Sequence, residues 1–335
     1  MFNFHTNHRH LVSTALLGFL LLSILVAIVP AMQMQAVEAL PGQKALSEQE
    51  KKGLRLYISE GCVACHTQQV RNIDMDKVWG DRPSLASDYY YSKQRLDIWR
   101  QSPSLLGSER TGPDLTNVGV RQVSQTWHLL HLYNPRSVVD ASIMPGYPWL
   151  FEEKPTAQID EEDVVLKLKK DFYFKPGKEL VASTDALALV AYLQSLQQTS
   201  IGTLQQDFIP SSKDKDKPQD IEGNATILAD GSALFTTSCA ACHQQNGEGV
   251  AGAFPSLVGS AIVNDPNPDM LIRVILQGYD ARSEYGLMPS FAQLLNDAQV
   301  AAIATHERSS WGNEAEAVSP EDVQAIRKMI QSEVP

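Results

Sequence analysis

The alternation of apolar and polar residues separates one long apolar stretch near the amino terminus from several short amphipathic ones. Residues Leu11 to Val29 are almost all apolar and carry no charge. As a helix, a stretch of this length reaches about 30 Å, which is enough to cross the hydrocarbon core of a bilayer. The pattern therefore predicts a transmembrane helix within an anchor segment of residues 1–39.

Charges on either side predict the orientation of this helix. Arg9 precedes it and Glu38 follows it, a weak cationic bias that favours an amino terminus in the cytoplasm. Small residues around Ala36 and Ala39 leave a cleaved signal peptide as an alternative. We favour the anchor because the apolar run is longer than an ordinary signal core, and both alternatives export the rest of the chain.

Further stretches repeat apolar residues at the spacing of a helix. Between Glu48 and Glu60, Gly53 and Tyr57 fall on one face, which suits a close crossing with a second helix. The expected partner runs from Asp185 to Gln197, after Thr184 as its cap. The remaining predicted helices lie in the last third of the chain, at Met270 to Gln277, Gln299 to His306 and Ser319 to Met329, the last with Ser319 as cap and Pro320 at its first position.

One short motif occurs twice, as Cys62-Val63-Ala64-Cys65-His66 and as Cys239-Ala240-Ala241-Cys242-His243. Thiols at positions i and i+3 of a helical turn can each form a thioether with a haem vinyl group, and the imidazole at i+4 then ligates the iron. The two copies use all 4 cysteines of the chain. A thioredoxin-like or zinc site is disfavoured because each needs different surroundings. The sequence therefore predicts two covalently bound haem c groups.

Composition narrows the class of protein. A chain of 335 residues with 43% hydrophobic and 20% charged residues is a folded globular protein with room for two or three domains, of which the motifs support two. The formal net charge of -11 disfavours nucleic acid as a partner, because nucleic acid requires a cationic face. The acidic surface either steers a basic redox partner toward the chain or only keeps it soluble.

A proline loop and a methionine follow each motif. Gly112-Pro113-Asp114-Leu115 and Phe254-Pro255-Ser256-Leu257 resemble the loop of class I cytochromes c in which the proline carbonyl accepts the ring N–H of the axial histidine. Met144 lies thirty-one residues after Pro113, and Met288 lies thirty-three after Pro255. A thioether is a soft ligand that suits haem iron. The matched spacing favours Met144 and Met288 as the second axial ligands.

Other residues compete for the axial positions. In the first domain the rivals are Met75 and the pair His128 and His131, although such residues usually serve packing or capping. Met270 is the rival in the second domain, but it begins a predicted helix whose apolar side explains it as a packing residue. His306 lies near the end of another helix, where stabilisation by the helix dipole is expected.

The two copies differ between the motif and the proline loop. His66 is forty-seven residues from Pro113, whereas His243 is twelve from Pro255, so the first domain carries an insertion of thirty-five residues at about 68–107. The insertion is either an ordinary surface subdomain or a docking surface for a larger partner, since Tyr, Trp and Arg favour interfaces. It contains Trp79, Tyr89, Tyr90, Tyr91, Arg95, Trp99 and Arg100.

Several runs in the first half of the chain closely resemble the mono-haem, membrane-anchored subunit of cbb3-type cytochrome c oxidases. The likeness extends in register from about Leu40 to Leu196 and is carried by the runs Arg110 to Leu115, Trp127-His128, His131 to Arg136 and Ser142 to Leu150. It implies that Cys62, Cys65, His66 and Met144 hold the haem. One departure concerns the family's Gln-Met-Ile-Arg-Pro after the motif, of which Gln68-Gln69-Val70-Arg71-Asn72 keeps only part.

The predicted fold is mainly α, with one transmembrane helix followed by two class I cytochrome c domains. Pro210 to Pro218 is polar and alternates in charge, as expected of a flexible tether. We therefore expect an anchor at 1–39, a first cytochrome domain at 40–200, a linker at 201–228, a second cytochrome domain at 229–313 and a tail of undetermined role at 314–335.

The resemblance implies a subunit of the bacterial cytoplasmic membrane whose haem domains are periplasmic. It would pass electrons from a soluble or membrane-bound donor, of which another cytochrome c is one candidate, to the catalytic subunit of a haem-copper oxidase. The chain alone is not expected to be an enzyme, because neither His/Met iron has an open site for oxygen. The first haem is expected to face the catalytic subunit, and the second to be mobile and to face the donor. The alternatives are a di-haem peroxidase, a freely diffusing periplasmic carrier and a subunit of a nitric oxide reductase.

Overall fold

The computed structural model describes residues 6–93, 105–168, 172–173, 175–202, 208–209, 230–280 and 285–333. The chain is mainly helical, and the described residues form two compact units. Unit 1 comprises residues within 1–47, 60–116 and 198–215, and unit 2 comprises residues within 48–59, 117–197 and 216–335. The predicted linker, including Pro210 to Pro218, falls almost wholly outside the described residues.

The amino terminus forms one long apolar helix. It consists of α1 (His8–Ser23), a π-helical segment (Ile24–Ile28) and α2 (Val29–Gln35). The helix from His8 to Gln33 contains an 18-residue window with a mean hydropathy of 2.7, and it is long and apolar enough to cross a membrane. The predicted span from Leu11 to Val29 lies inside this helix.

Unit 1 is built largely from turns, with 3-10 segments at Cys62–Ala64, Asp74–Asp76 and Ala86–Tyr89 and a short helix α4 (Tyr90–Lys93). The described part of the insertion is held internally, since the Tyr89 hydroxyl donates to the carbonyl oxygen of Gln68 at 2.7 Å. Three residues of its predicted docking surface, Arg95, Trp99 and Arg100, lie outside the described residues.

Two long helices cross closely in unit 2, as predicted. These are α3 (Glu48–Ser59) and α7 (Thr184–Ser195). Gly53 is essential to the crossing, because a Cβ there would clash with the backbone oxygen of Ala188. The expected cap was wrong by one residue: the Ser183 side chain accepts from the first backbone N–H groups of α7, whereas Thr184 is already helical and its hydroxyl accepts from Lys52.

Unit 2 also contains α5 (Val118–Arg121), α6 (Gln125–Tyr133) and an antiparallel hairpin of β1 (Phe151–Pro155) and β2 (Lys178–Ala182). The strands pair in the register Phe151↔Ala182 to Pro155↔Lys178. The sequence did not indicate this hairpin. Its first strand is charged and short, and its partner lies more than twenty residues further along the chain.

The remaining helices of unit 2 pack around one apolar core. They are α8 (Gly231–Ser238), α9 (Ala240–His243), α10 (Asp269–Gln277), α11 (Asp297–Ser309) and α12 (Pro320–Glu333). The crossing of α8 with α11 repeats that of α3 with α7, since a Cβ on Gly231 would clash with the backbone oxygen of Ala302. Gly231 and Phe235 thus stand before the second haem motif as Gly53 and Tyr57 stand before the first, and each glycine allows a close helix crossing.

The C-terminal tail belongs to this core. Val323 and Ile326 of α12 are fully buried, and Arg327 forms an ion pair with Asp297 at 2.7 Å. Ser319 caps the helix as predicted, since its hydroxyl accepts from the backbone N–H of Asp322. The tail thus has a structural role, which the sequence left open.

The packing role predicted for Met270 was wrong. Its side chain is 52% exposed, because α10 begins at Asp269 and turns Leu271, Ile272, Ile275 and Leu276 toward the core.

Candidate functional site

The first Cys-x-x-Cys-His motif forms a tight turn in unit 1. The backbone N–H of His66 donates to the carbonyl oxygen of Cys62 at 3.0 Å, and Gly112 N–H donates to the carbonyl oxygen of Cys65 at 2.9 Å. The thiol of Cys62 is half-buried, whereas that of Cys65 is exposed. The bond from Gly112 joins the motif directly to the proline loop.

The proline loop orients the ring of His66. Its Nδ1 lies 2.8 Å from the carbonyl oxygen of Pro113, so Nδ1 carries the proton and Nε2 keeps a lone pair for a metal. Gly112 must be a glycine, because a Cβ would clash with the imidazole. Burial lowers the pKa of His66, which also favours the neutral form that binds iron.

A buried ion network supports this histidine loop. Asp76 is fully buried and accepts from Arg71 at 2.8 Å and from Arg110 at 2.7 Å. Burial alone would raise the pKa of Asp76, but the hydrogen bonds from the two arginines hold it well below its ordinary value. Arg110 also donates to the Thr67 hydroxyl beside His66 at 2.7 Å. In the sequence, Arg110 stood out only as part of a run that resembles the cbb3 family. Asp76 was missed, and the only sign of it was the acidic pair Asp74 and Asp76 in the insertion.

Met144, the other predicted ligand of the first haem, lies in a loop of unit 2. The side chain is half-buried, and its backbone N–H donates to the Ser142 hydroxyl at 3.3 Å. Further along the loop, Tyr147 N–H donates to the carbonyl oxygen of Leu132 at 2.7 Å, which ties the loop to the end of α6.

The rivals of Met144 have other environments. Met75 is 69% exposed. His128 is buried with Nε2 at 2.8 Å from the carbonyl oxygen of Gln122, and burial lowers its pKa to about 4. His131 stacks on Trp127 with ring centroids 4.5 Å apart. The two histidines therefore serve the packing of α6, the role that such residues usually have.

The second motif borders a cavity of about 430 Å³ within unit 2. This volume lies in the range of about 300–1,000 Å³ that ligand pockets occupy. The cavity brings together all the residues predicted for the second haem: Cys239, Cys242, His243, Pro255 and Met288. Its other walls are mainly apolar and include Phe254, Leu257, Leu271, Ile275, Phe291 and Leu294.

Both predicted axial ligands at this cavity are held by backbone bonds. Nδ1 of His243 lies 3.0 Å from the carbonyl oxygen of Pro255, the same arrangement as in the first site. Met288 exchanges two hydrogen bonds of 2.9 Å with Tyr279, which fixes the methionine loop at the cavity wall. Met270 does not line the cavity.

Burial acts on three of the cysteine thiols. It raises the pKa of Cys62 and of Cys242 to about 12 and that of Cys239 well above its ordinary value. Within the ranges that the structure describes, no group of three or more His, Cys, Asp or Glu side chains is placed to hold a metal ion.

Some residues at the cavity were not predicted from the sequence. Glu307 is buried at the cavity wall, where burial raises its pKa to about 8. The segment Val120 to Val123 also lines the cavity, and the Gln122 side chain forms a hydrogen bond with the Cys242 thiol. These residues lie far from the motif along the chain, so spacing could not reveal them.

These arrangements fit covalent haem. Each site pairs two thiols with a neutral histidine whose second nitrogen is available, and the second site adds an apolar cavity and a thioether. Bound in such a site, haem supplies reversible one-electron exchange at its iron.

Comparison with known families agrees with the geometry. The family model described as cytochrome c oxidase, mono-heme subunit/FixO matches residues 4–176. The chain belongs to this family. A second model, described as cytochrome c oxidase, cbb3-type, subunit III, matches residues 227–306. This FixO-family chain therefore carries a second cytochrome domain after the mono-haem subunit, as the sequence resemblance predicted.

Individual relatives are also cytochromes. The cytochrome subunit of fructose dehydrogenase from Gluconobacter japonicus is 33% identical over 164 residues, which are 44% of this chain and 34% of that protein. A cytochrome c-552 of Thermus thermophilus is 39% identical over 100 residues, 27% of this chain and 66% of that protein. The cytochrome c subunit of a quinone alcohol dehydrogenase from Gluconacetobacter polyoxogenes is 30% identical over 149 residues, 43% of this chain and 31% of that protein. The chain thus spans from about a third to less than two thirds of these relatives.

The family assigns a general role. The FixO-family chain is a c-type cytochrome that transfers electrons within an oxidoreductase complex and is not the catalytic subunit. Membership implies covalent haem c and association with a membrane, and the long apolar helix at His8–Gln33 is compatible with an anchor.

Proposed function

We propose that this chain is a single-pass, di-haem electron-transfer subunit that delivers electrons from a periplasmic donor to the catalytic subunit of a cbb3-type haem-copper oxidase. One observation carries the proposal: a mono-haem oxidase subunit and a cbb3-type cytochrome domain occur in one chain, each with its own Cys-x-x-Cys-His motif. A chain of this kind combines two successive carriers that would otherwise be separate proteins.

The first haem is assigned to Cys62, Cys65 and His66, with Met144 as the second axial ligand. The contact between His66 Nδ1 and the carbonyl oxygen of Pro113 supports this assignment, because it presents Nε2 as a ligand. The half-buried loop position of Met144 and its matched spacing from the proline loop support the methionine.

The second haem is assigned to Cys239, Cys242 and His243, with Met288 as the other axial ligand. The shared cavity and the contact of His243 with Pro255 support this assignment. An iron with both axial positions filled exchanges electrons without binding oxygen, so the chemistry of oxygen reduction falls to the partner.

The proposed organisation keeps the anchor at 1–39, cytochrome domains at 40–200 and 229–313, a linker at 201–228 and a C-terminal helix in 314–335. The haem domains are placed in the periplasm of a bacterium, because haem is attached to c-type cytochromes outside the cytoplasmic membrane. The weak cationic bias of Arg9 over Glu38 supports the same orientation.

Isolation of the complex tests this function. The full chain is purified from membranes in mild detergent, and the co-purifying subunits are identified and assayed with oxygen and with nitric oxide. We expect a multi-helix haem-copper subunit and oxygen consumption sustained by a reduced donor. Turnover of nitric oxide without oxygen consumption, or a chain that purifies with no haem-copper partner, would contradict the proposal. Peroxide binding at one iron of the oxidised chain would support a peroxidase instead.

A further inference from the structure

Helix α6 touches the second haem motif at its amino-terminal end. The indole Nε1–H of Trp127 donates to the backbone oxygen of Ala241 at 2.8 Å. Ala241 lies between Cys239 and Cys242, the two residues proposed to bond covalently to haem. A residue of the first cytochrome domain is therefore anchored inside the attachment motif of the second.

Neighbouring residues extend this contact. The Gln122 side chain, which is 8% exposed, forms a hydrogen bond with the Cys242 thiol, and Thr126 packs near Gly286, two residues before Met288. From the second cytochrome domain, Gln244 Nε2 donates to the backbone oxygen of Val138 in the first domain at 3.3 Å. The contact thus extends from the second Cys-x-x-Cys-His motif to the loop that carries Met288.

The other end of α6 holds the loop that carries Met144. Leu132 accepts a hydrogen bond of 2.7 Å from the backbone N–H of Tyr147, and Gly146 packs against the backbone oxygen of Tyr133. Trp127 and Leu132 are five residues apart, which corresponds to about 7.5 Å along a helix. Helix α6 thereby joins the attachment motif of the second haem to the loop that carries Met144, the proposed ligand of the first haem.

Internal bonds make this element stiff. The Ser124 hydroxyl caps α6 at Trp127 N–H, and the ring of His128 is fixed to the backbone oxygen of Gln122 at 2.8 Å. The stacked ring of His131 restrains the indole of Trp127. The indole N–H is therefore held in position for Ala241.

We propose that α6 is the internal electron-transfer contact between the two haem sites and that Trp127 is its positioning residue. This inference rests on the proposed di-haem function. With haem held by Cys239, Cys242 and His243 at the second site and by Cys62, Cys65 and His66 at the first, the transfer would oxidise the second iron from ferrous to ferric and reduce the first from ferric to ferrous by one electron, with no proton or covalent bond moved. The second domain transfers its electron from this docked position, and an external donor must approach it at another face.

Redistribution of electrons between the haems tests the proposal. A short pulse of photogenerated reductant is applied to the full, oxidised chain in detergent, and the absorbance change that follows reports electron movement between the sites. Trp127→Phe keeps an aromatic ring but loses the N–H donor. Loss of one hydrogen bond weakens docking by about fivefold, so we expect the redistribution rate to fall by up to that factor. Adding Gln244→Ala should slow it further.

Trp311→Phe is the matched control. Its indole Nε1 also donates to a backbone oxygen close to the motif, that of Gln245 at 3.1 Å, but it lies within the second cytochrome domain. We expect this variant to keep the wild-type redistribution rate. Haem content and both reduction potentials are measured in every variant, so that misfolding or a changed driving force is recognised; Gln244→Ala alone serves if Trp127→Phe loses haem.

The outcomes separate this inference from the function on which it rests. A wild-type rate in Trp127→Phe/Gln244→Ala with both haems present would overturn the role of α6, as would equal slowing by Trp311→Phe. A single haem per chain would overturn the proposed function. Slowing specific to the α6 contact in a chain that lacks an oxidase partner would support the inference while refuting the oxidase function.

Discussion

Nδ1 of His243 lies 3.0 Å from the carbonyl oxygen of Pro255, and the pair His66 and Pro113 repeats this relationship at 2.8 Å. The two sites reach the same geometry although the chain between histidine and proline is nearly four times longer in the first. The insertion therefore leaves the histidine geometry unchanged. The insertion also adds Arg71 and Asp76, and the ion pair of Asp76 with Arg110 stabilises the loop of the first site.

Loss of Met288 should change one haem only. In Met288→Ala we expect the sulfur-to-iron absorption of the second haem to disappear and its reduction potential to fall, because His/Met ligation raises the potential. Met270→Ala is the matched control, since Met270 is exposed and does not line the cavity. Optical redox titration of both variants measures the effect. Retention of both sulfur signals in Met288→Ala would refute the ligand assignment.

The same comparison applies to the first site. Met144→Ala should remove the other sulfur signal, whereas Met75→Ala should leave it intact because the Met75 side chain is 69% exposed. Magnetic circular dichroism in the near infrared distinguishes methionine ligation from other ligation at each iron. If Met75→Ala abolishes the signal instead, the matched spacing from Pro113 was a coincidence.

Asp76 should stabilise unit 1. Asp76→Asn removes the carboxylate that Arg71 and Arg110 share and leaves Arg110 only its longer contact with Asp114. Hydrogen bonds to charged groups contribute about 1.5–3 kcal/mol each, so we expect a loss of that order in the free energy of unfolding. Asp74→Asn breaks only an exposed pair with Lys77 and should cost less than about 1 kcal/mol. Because the pKa of Asp76 is lowered by folding, its stabilisation should be present at neutral pH and lost in acid. Equal stability of the two variants in denaturant titrations would show that the network is dispensable.

Glu307 should make unit 2 less stable as the pH rises. Burial raises its pKa to about 8, above the ordinary value of 4.5, so the folded chain holds a proton that the unfolded chain releases. Between these two values each pH unit costs up to about 1.4 kcal/mol of stability. Glu307→Gln should remove this dependence, whereas Glu314→Gln, at an exposed position, should retain it. Thermal unfolding at several pH values measures both, and a pH slope that persists in Glu307→Gln would assign it to another group.

The paired glycines provide a test of the repeated helix crossing. Gly53→Ala places a Cβ against the backbone oxygen of Ala188, and overpacking of this kind costs about 1–3 kcal/mol. Gly231→Ala should behave alike against Ala302. Gly18→Ala adds a Cβ where nothing lies within 4 Å and should be neutral. A neutral Gly53→Ala in calorimetry would mean that α3 and α7 can separate freely.

Local and periodic features of the fold could be predicted from the sequence. The long apolar helix near the amino terminus, the crossing helices and the cap at Ser319 follow from apolar spacing and from residues with strong positional preferences. The cap of α7 was placed one residue late because serine and threonine stand side by side at 183 and 184, and both favour that position. Met270 was misassigned because periodicity alone does not say which residue begins a helix.

Features that depend on distant pairing could not be predicted. The strands β1 and β2 become strands only by pairing with each other across more than twenty residues. Asp76 and Glu307 look like ordinary acidic residues until the fold buries them. The bond from Trp127 to Ala241 joins segments more than one hundred residues apart, so no local pattern encodes it.

The number of electrons that one chain accepts tests the central claim most directly. The full chain is titrated anaerobically with a one-electron reductant while its haem absorbance is followed, and covalent haem is quantified against protein in the same sample. We expect two covalent haems and two electrons per chain. One haem and one electron per chain would contradict the central claim, because one of the two Cys-x-x-Cys-His motifs would then have no redox function.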